Sequence, residues 1–347
     1  MKKIALGQTD LSVTHLCMGT MTFGEQNTET EGFAILDAAF EAGINFVDTA
    51  EIYPVPVNKA TFSRTEGIVG RWLKTKPRNQ LVLATKMSGP SRAAKWIRDG
   101  DLDFMPKNVD LAVHNSLKLL DVDYIDLYQL HWPARNVPLF GAMRFEHKAE
   151  KPSTAMEDTL GGLEKHVKAG NIRAIGVSNE TPWGVSEFIK QSELHAAPRI
   201  ASIQNGNSLL NRTFENGLDE VCFRENVSLL AYSPLSFGQL TGKYADDREG
   251  AQGRLNKYSK DWSPRYVRES VYQAAGEYAA LARAHDLTPT QLAIAWSLSQ
   301  WYVASTIIGA TSVAQLQEQL SAQSVVLSPE ILAGIEAIHA RLPNPAF

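Results

Sequence analysis

Four residues with side chains suited to proton transfer stand at or just beyond the ends of short apolar segments. Asp48, Lys86 and His131 each close one segment, and Tyr53 follows Asp48 by five residues. A tyrosine is a poor acid at neutral pH because its reference pKa is about 10. A neighbouring ammonium group lowers that pKa, since it stabilises the phenolate. We therefore predict an acid–base site in which Tyr53 protonates the oxygen of a carbonyl under reduction, assisted by Lys86.

The other two residues would support this pair. Asp48 can form an ion pair with Lys86 and fix its direction, and His131 can orient the carbonyl oxygen or share the proton. Each residue alone also has a structural explanation, since a strand-end Asp commonly caps a turn and a buried His commonly has its hydrogen bonds satisfied. Their place at the same end of neighbouring strands favours one common pocket.

The elements that would position these residues repeat along the whole chain. Short runs rich in Val, Ile and Leu, without strict polar alternation, are typical of parallel strands covered on both sides. Segments with helical periodicity lie between them, as at Leu36, Ala39 and Phe40. This alternation predicts an α/β protein, a (β/α)₈ TIM barrel. The predicted strands are residues 15–18, 45–47, 81–84, 125–129, 172–177, 201–203, 228–231 and 303–307.

Two long segments interrupt the repeat. Residues 133–152 and 234–264 are rich in Pro, Gly and charge, and each follows a predicted strand. In a barrel such loops lie on the face where active sites are built, so we interpret them as candidate lids. Residues 3–11 predict a β-hairpin before the barrel, and residues 329–341 predict a helix outside it. We expect residues 1–347 to form a single domain.

Composition excludes several classes of protein. The 347 residues are 44% hydrophobic, which is enough for a sizeable core. Lys and Arg number 34 against 38 Asp and Glu, which argues against a broad surface for nucleic acid or an anionic membrane. Cys17 and Cys222 lack the spacing of a disulfide framework or a zinc ribbon. With no signal peptide pattern and no apolar run near the roughly 20 residues of a membrane span, we expect a cytoplasmic protein.

The segments around the four polar residues resemble the active-site signatures of the aldo-keto reductases. These segments are residues 43–53 (GINFVDTAEIY), 84–86 (ATK) and 126–133 (DLYQLHWP). The resemblance covers nearly the whole chain and continues through residues 176–179, 203–205, 231–235 and 308–311. Residues 19–27 and 53–56 are similar to those of the bacterial Tas-like members. The resemblance implies that Asp48, Tyr53, Lys86 and His131 form the catalytic tetrad of that family, with Tyr53 as the acid.

The resemblance also implies a nicotinamide dinucleotide cofactor, NADPH in preference to NADH. Ser178, Asn179 and Gln204 offer polar groups to the nicotinamide carboxamide, and Tyr232 offers a face to its ring. The glycine-bearing loop 233–243 can bring backbone N–H groups to the pyrophosphate. The full set of implied cofactor residues is Gly19, Thr20, Met21, Asp48, Ser178, Asn179, Gln204, Tyr232, Ser233, Leu235, Gly238, Leu240, Gly242, Lys243, Arg254, Gly309, Thr311, Gln315 and Gln319.

The adenosine end of the cofactor site departs from the family pattern. Residues 309–312 open a predicted helix whose N-terminus suits an anion, and the resemblance assigns the 2′-phosphate to Thr311 and Gln315. Gln319 stands where Asn is common, and Gln317 offers no positive charge where relatives often have one. The chain contains no GxGxxG motif, which counts against a Rossmann dehydrogenase.

The predicted substrate pocket is apolar. We expect Met21, Met87 and Trp132 to line it, together with the loop through Phe140 and Phe145. These side chains favour a hydrophobic or aromatic carbonyl compound, although pockets of this kind seldom select one substrate.

Two other functions stay open at this point. Some relatives with this barrel bind the nucleotide and sense its redox state as regulatory subunits of another protein. An unrelated barrel enzyme could instead use Asp48 and His131 as metal ligands, but no spacing of carboxylates and histidines completes such a site. We therefore expect a small-molecule carbonyl substrate and no metal, nucleic acid or membrane, while no pattern assigns an oligomeric state.

Overall fold

The computed structural model describes residues 1–90, 94–258 and 263–347. The predicted lid at residues 234–264 includes residues 259–262, which lie outside this described part. Within it, no helix combines the length and the apolar character that a membrane span would need.

Eight parallel strands close into a barrel, which confirms the predicted fold class. A two-stranded antiparallel hairpin, β1 (Lys3–Ala5) and β2 (Ser12–Thr14), precedes it and extends three residues beyond the predicted hairpin. In chain order the barrel strands are β3 (Leu16–Gly19), β4 (Phe46–Asp48), β5 (Val82–Met87), β6 (Ile125–Leu130), β7 (Ile172–Ser178), β8 (Ile200–Gly206), β9 (Ser228–Tyr232) and β10 (Val303–Ile308), and β10 pairs with β3 to close the ring.

Helices follow the strands and cover the barrel. The predicted terminal helix is present and packs against α9 (Glu269–Ala284), outside the barrel. The helices are α1 (Glu29–Glu41), α2 (Arg64–Leu73), α3 (Pro106–Leu120), α4 (Met156–Lys168), α5 (Pro182–His195), α6 (Leu218–Glu225), α7 (Lys243–Asp246), α8 (Arg254–Lys257), α9 (Glu269–Ala284), α10 (Pro289–Ser299), α11 (Val313–Ser321) and α12 (Pro329–Arg341).

Strand alternation divides the side chains between two environments. In β5, Leu83 and Met87 belong to the main core between strands and helices, whereas Val82 and Ala84 belong to a second cluster inside the barrel. Because successive side chains of a strand point to opposite faces, Lys86 points inward like Val82 and Ala84. By the same rule, the Met87 side chain points away from the barrel interior.

The hairpin closes the barrel at the end where the strands begin. Leu6, Leu11 and Val13 are buried in one cluster with the inward-facing Phe46 and Leu127. The backbone N–H of Gly7 donates to Ser228 Oγ at 2.8 Å, where β9 starts. Apolar packing therefore fills the barrel interior near the starts of the strands, and the polar side chains lie near the ends of the strands.

We predict that Gly70 in α2 tolerates no larger side chain. A Cβ at this position would lie 2.6 Å from the carbonyl oxygen of Leu120 and 2.7 Å from that of Leu119. Since both are backbone atoms, α2 and α3 would have to separate. Gly70→Ala should reduce the free energy of unfolding by about 1–3 kcal/mol and lower the Tm measured by circular dichroism.

Gly67→Ala is the matched control in the same helix. Its Cβ would meet only the flexible tip of Arg71, at 3.4 Å. Because alanine favours a helix over glycine by about 1 kcal/mol, this variant should hold or raise the Tm. Equal Tm values for the two variants would contradict the close approach of α2 and α3.

Candidate active site

A large cleft opens at the ends of the barrel strands, on the side of the two long loops. Its volume is about 1650 Å³. Of the tetrad predicted from sequence, Asp48, Tyr53 and His131 line the cleft, and Lys86 lies buried beside them. The predicted cofactor residues that line the cleft are Gly19, Thr20, Met21, Asp48, Ser178, Asn179, Gln204, Tyr232, Ser233, Leu235, Gly238, Lys243, Arg254, Gly309, Thr311, Gln315 and Gln319.

A buried ion pair lies at the base of the cleft. Lys86 Nζ donates to Asp48 Oδ1 at 2.5 Å and to the backbone oxygen of Thr49 at 2.8 Å. Both charged side chains are almost completely removed from solvent. Burial alone would lower the pKa of Lys86, but the charge of Asp48, the Tyr53 phenol and the hydrogen bond to Asp48 together outweigh burial, and the pKa is raised. Lys86 is therefore a permanent cation at the base of the cleft.

The second carboxylate oxygen of Asp48 is held by two glutamines. Gln204 Nε2 donates to Asp48 Oδ2 at 2.9 Å, and Gln129 Nε2 donates to the same oxygen at 3.2 Å. Gln204 Nε2 also lies 3.2 Å from Gln129 Oε1. The sequence interpretation missed Gln129, although a glutamine two residues before His131 in a buried strand was a signal. The carboxylate is thus fixed from β5, β6 and β8 together.

Tyr53 stands above the ion pair. Its ring centroid is 5.0 Å from Lys86 Nζ and 5.7 Å from the His131 ring, which meets it edge-on. Burial raises the pKa of the Tyr53 phenol, and the Lys86 charge offsets this only in part. The sequence hypothesis that Lys86 brings this pKa down therefore holds for the contribution of Lys86 but not for the net shift. The phenol keeps its proton at neutral pH.

His131 is neutral in this setting. Burial and the nearby Lys86 charge hold the pKa of its imidazole well below the usual value. Its backbone is fixed, since its N–H donates to Met87 and its carbonyl oxygen accepts from Asn179 Nδ2 at 2.8 Å. Its side-chain Nδ1 is buried without a partner among the described residues. The ring can therefore donate or accept a hydrogen bond near Tyr53.

A hydrogen-bonded amide and hydroxyl cluster adjoins the tetrad. Ser178 Oγ donates to the backbone oxygen of Gln204 at 2.7 Å, and Tyr232 OH donates to Asn179 Oδ1 at 2.7 Å. Asn179 adopts a left-handed backbone, with φ of 54°, where Asn is better tolerated than most residues. These bonds lock the carboxamide-binding residues predicted from sequence into one rigid group at the ends of β7, β8 and β9.

Positive charge lies farther along the cleft. The loop after β9 turns through left-handed residues, with φ of 59° at Phe237 and 94° at Gly238. Arg254 packs over the Phe237 ring at 4.8 Å. Burial lowers the pKa of Arg254 and of Lys243. Burying these two charges costs free energy, and an anion between them would offset that cost.

Besides Lys86, four predicted residues do not line the cleft. Leu240 is buried, and Gly242 forms the left-handed end of the turn before α7. Met87 is fully buried in the main core, so its predicted place in the substrate pocket does not match the structure. Phe145 is exposed outside the cleft, whereas Phe140 from the same loop lines it.

Part of the cleft wall is apolar, and its Met21, Val55 and Trp132 side chains pack in one cluster with Tyr53. Met21 and Trp132 line the cleft as predicted, and the sequence interpretation missed Val55, Leu139 and Arg265. Trp132 is fixed by a hydrogen bond from Nε1 to the backbone oxygen of Pro90 at 3.0 Å. Across residues 1–90, 94–258 and 263–347, no group of three or more His, Cys, Asp or Glu is arranged to hold a metal ion.

Comparison with known proteins identifies related chains. The model of the Aldo/keto reductase family matches residues 15–340. Protein tas of Escherichia coli strain K12 is 46% identical over 97% of both chains. An aldo-keto reductase of Babesia bovis is 34% identical over 77% of this chain and 98% of its own. The NADH-specific methylglyoxal reductase of E. coli is 31% identical over 94% of this chain and 95% of its own.

We predict that removing the lysine charge alone destabilises the protein more than removing the whole ion pair. Lys86→Met leaves the Asp48 carboxylate buried without a cation, which should cost about 3–5 kcal/mol of unfolding free energy. Adding Asp48→Asn should recover most of this loss, because Gln204 and Gln129 can still donate to the amide oxygen. Denaturant unfolding of the two single variants and the double variant measures the coupling. Additive losses would contradict a direct pair.

Proposed function

This chain belongs to the aldo/keto reductase family, and we propose that it reduces aldehydes or ketones to alcohols with NADPH, using Tyr53 as the proton donor. The observation that carries the proposal is the buried pair of Lys86 and Asp48, 2.5 Å apart, beneath the Tyr53 ring. A buried cation beside a neutral phenol stabilises the phenolate that forms as the proton leaves.

Each tetrad residue has one task in this proposal. Tyr53 holds its proton in the resting site because its pKa is raised, and it releases that proton to the carbonyl oxygen as negative charge develops there. Lys86 stabilises the phenolate left behind, and Asp48 keeps the ammonium group in place. His131, being neutral, can donate a hydrogen bond to the same carbonyl oxygen and orient it for reaction.

The cleft fits a nicotinamide dinucleotide, which supplies the hydride when it is bound. The cavity of about 1650 Å³ exceeds the roughly 300–1,000 Å³ of a pocket for one small ligand. A Cβ added at Gly309 would meet no atom within 4 Å, so the backbone there borders open space that a ligand can enter. Ser178 and Asn179 would hold the carboxamide, Tyr232 would stack on the ring, and Lys243 and Arg254 would hold the phosphates.

The preference for NADPH is part of the proposal. Thr311 and Gln315 line the cleft at the start of α11, where helix N–H groups favour an anion such as the 2′-phosphate. Gln315 Oε1 accepts from the Thr311 N–H at 2.9 Å, which orders this turn. One relative is named as NADH-specific, so cofactor choice varies among similar chains.

We predict that Tyr53→Phe abolishes carbonyl reduction without loss of cofactor binding. The variant loses only the hydroxyl, so reduction of 4-nitrobenzaldehyde should fall by at least about 10³-fold because proton donation is lost. The NADPH Kd, measured by fluorescence titration, should stay within about twofold of wild type. Turnover at the wild-type rate would refute the role assigned to Tyr53.

Titration of the same two proteins with NADH serves as the control for cofactor choice. We expect NADH to bind at least about tenfold more weakly than NADPH, since it lacks the 2′-phosphate. Equal Kd values for the two nucleotides would refute the NADPH preference and leave the role of Tyr53 intact.

We predict that kcat/KM for a neutral aldehyde is flat through neutral pH and falls only in alkaline solution. The acid form of Tyr53 is the active one, so activity is lost as pH rises through its pKa, which burial moves above the ordinary value of about 10. His131 stays neutral because its pKa is lowered, so no loss should occur near pH 6.5. A titration at that pH which disappears in His131→Gln would contradict the neutral imidazole.

A further inference from the structure

One cation that lines the cleft, Arg265, has no role in the proposal above. Arg265 belongs to a short 3₁₀ turn, Pro264–Tyr266, between the second long loop and α9. It lines the cleft and is partly buried. Its guanidinium lies 4.8 Å from the Tyr266 ring centroid and 5.5 Å from that of Phe140. The side chain therefore joins the two long loops at the cleft wall.

A row of stacked side chains separates this arginine from the cations of the phosphate end. Arg254 packs on Phe237 at 4.8 Å, and Phe237 stacks on Tyr266 with centroids 4.4 Å apart and planes inclined by 20°. Arg265 packs on Tyr266 from the next position. Two aromatic rings thus lie between the two arginines, and Arg265 contacts Phe140 of the first long loop and interacts with the Tyr232 phenol.

Arg265 has no carboxylate partner within residues 1–90, 94–258 and 263–347. Burial opposes its charge, but the phenols of Tyr266 and Tyr232 raise its pKa, so it stays a cation. The carboxylate of Asp48, which also lines the cleft, is engaged by Lys86. Glu318 lies on α11 and acts electrostatically on Lys243. Because no carboxylate of the described part of the chain pairs with it, burying this guanidinium costs free energy, and an anionic ligand would offset that cost.

We infer that the substrate is a carbonyl compound that also carries a carboxylate, and that Arg265 binds this carboxylate while Tyr53 meets the carbonyl oxygen. The inference rests on the proposed function and narrows its substrate class. A planar guanidinium matches a carboxylate with two parallel hydrogen bonds, and Phe140 and Tyr266 limit the directions it can take. Trp132, Leu139 and Phe140 would enclose the apolar body of the same molecule.

The test compares acids with esters of the same shape. The three carboxybenzaldehyde isomers and their methyl esters are reduced with NADPH by wild type, Arg265→Gln and Arg265→Lys. For at least one isomer, wild type should prefer the acid over its ester by tenfold or more in kcat/KM, expressed mainly in KM. Arg265→Gln should remove that preference by raising KM for the acid far more than KM for the ester, and Arg265→Lys should restore part of the preference.

Two control variants separate the explanations. Arg144→Gln removes the same charge from an exposed site in the neighbouring loop, outside the cleft, and should leave the preference unchanged. Arg254→Gln should weaken NADPH binding, whereas Arg265→Gln should not. If Arg265→Gln raises the NADPH Kd as much as Arg254→Gln does, Arg265 is a cofactor ligand and the inference is wrong.

The remaining outcomes also decide the question. Equal loss of acid and ester reduction in Arg265→Gln, with a lowered Tm, would show that the arginine only holds the loops and would overturn the inference. If wild type reduces each ester as well as its acid, the inference fails and the proposed function stands. If wild type reduces neither acids nor esters, the proposed function itself fails.

Discussion

The site depends on the burial of one opposite-charge pair, Lys86 and Asp48. Removing an ammonium and a carboxylate from water costs several kcal/mol for each ion unless their other hydrogen-bonding positions are also filled. Here the backbone of Thr49 and the side chains of Gln204 and Gln129 fill them. These partners come from strands far apart in sequence, so the pair is stable only when the barrel is closed.

The barrel interior is divided into two halves, and this division gives the ion pair its effect. Apolar residues such as Phe46 and Leu127, covered by the hairpin, exclude water from below. Charges at the upper end therefore interact through a medium of lower dielectric than water, which strengthens the influence of Lys86 on the Tyr53 phenol. The same lack of water raises the pKa of that phenol and keeps His131 neutral. The protonation states of Tyr53 and His131 therefore follow from the burial of their side chains.

The long loops add charge and shape above this common base. Phe237 stacks on Tyr266, and Arg265 lies over both Tyr266 and Phe140. These contacts connect the end of the second long loop to the first. Asp48 and Lys86 lie on barrel strands, and Tyr53 and His131 lie in the segments that follow β4 and β6, whereas the long loops supply other parts of the cleft wall. Under the proposed function, cofactor choice and substrate choice would depend on these loops and on α11 and not on the four tetrad residues.

The eight strands and the four polar residues at or just beyond their ends could be predicted from the sequence, because apolar periodicity and strand-end position are local properties. The cofactor residues were predicted from the family resemblance, and about half of the cleft lining was not predicted. The sequence also shows which residues of a strand share a face. Because Lys86 points into the barrel, its neighbour Met87 must point outward, and the prediction that Met87 lines the substrate pocket ignored this alternation. No local pattern shows that Gln129 and Gln204 hold Asp48, that burial outweighs the Lys86 charge at the Tyr53 phenol, or that Arg265 contacts Phe140. Each of these contacts joins side chains from segments that are distant in sequence. Closure of the barrel brings them together and excludes water from around them.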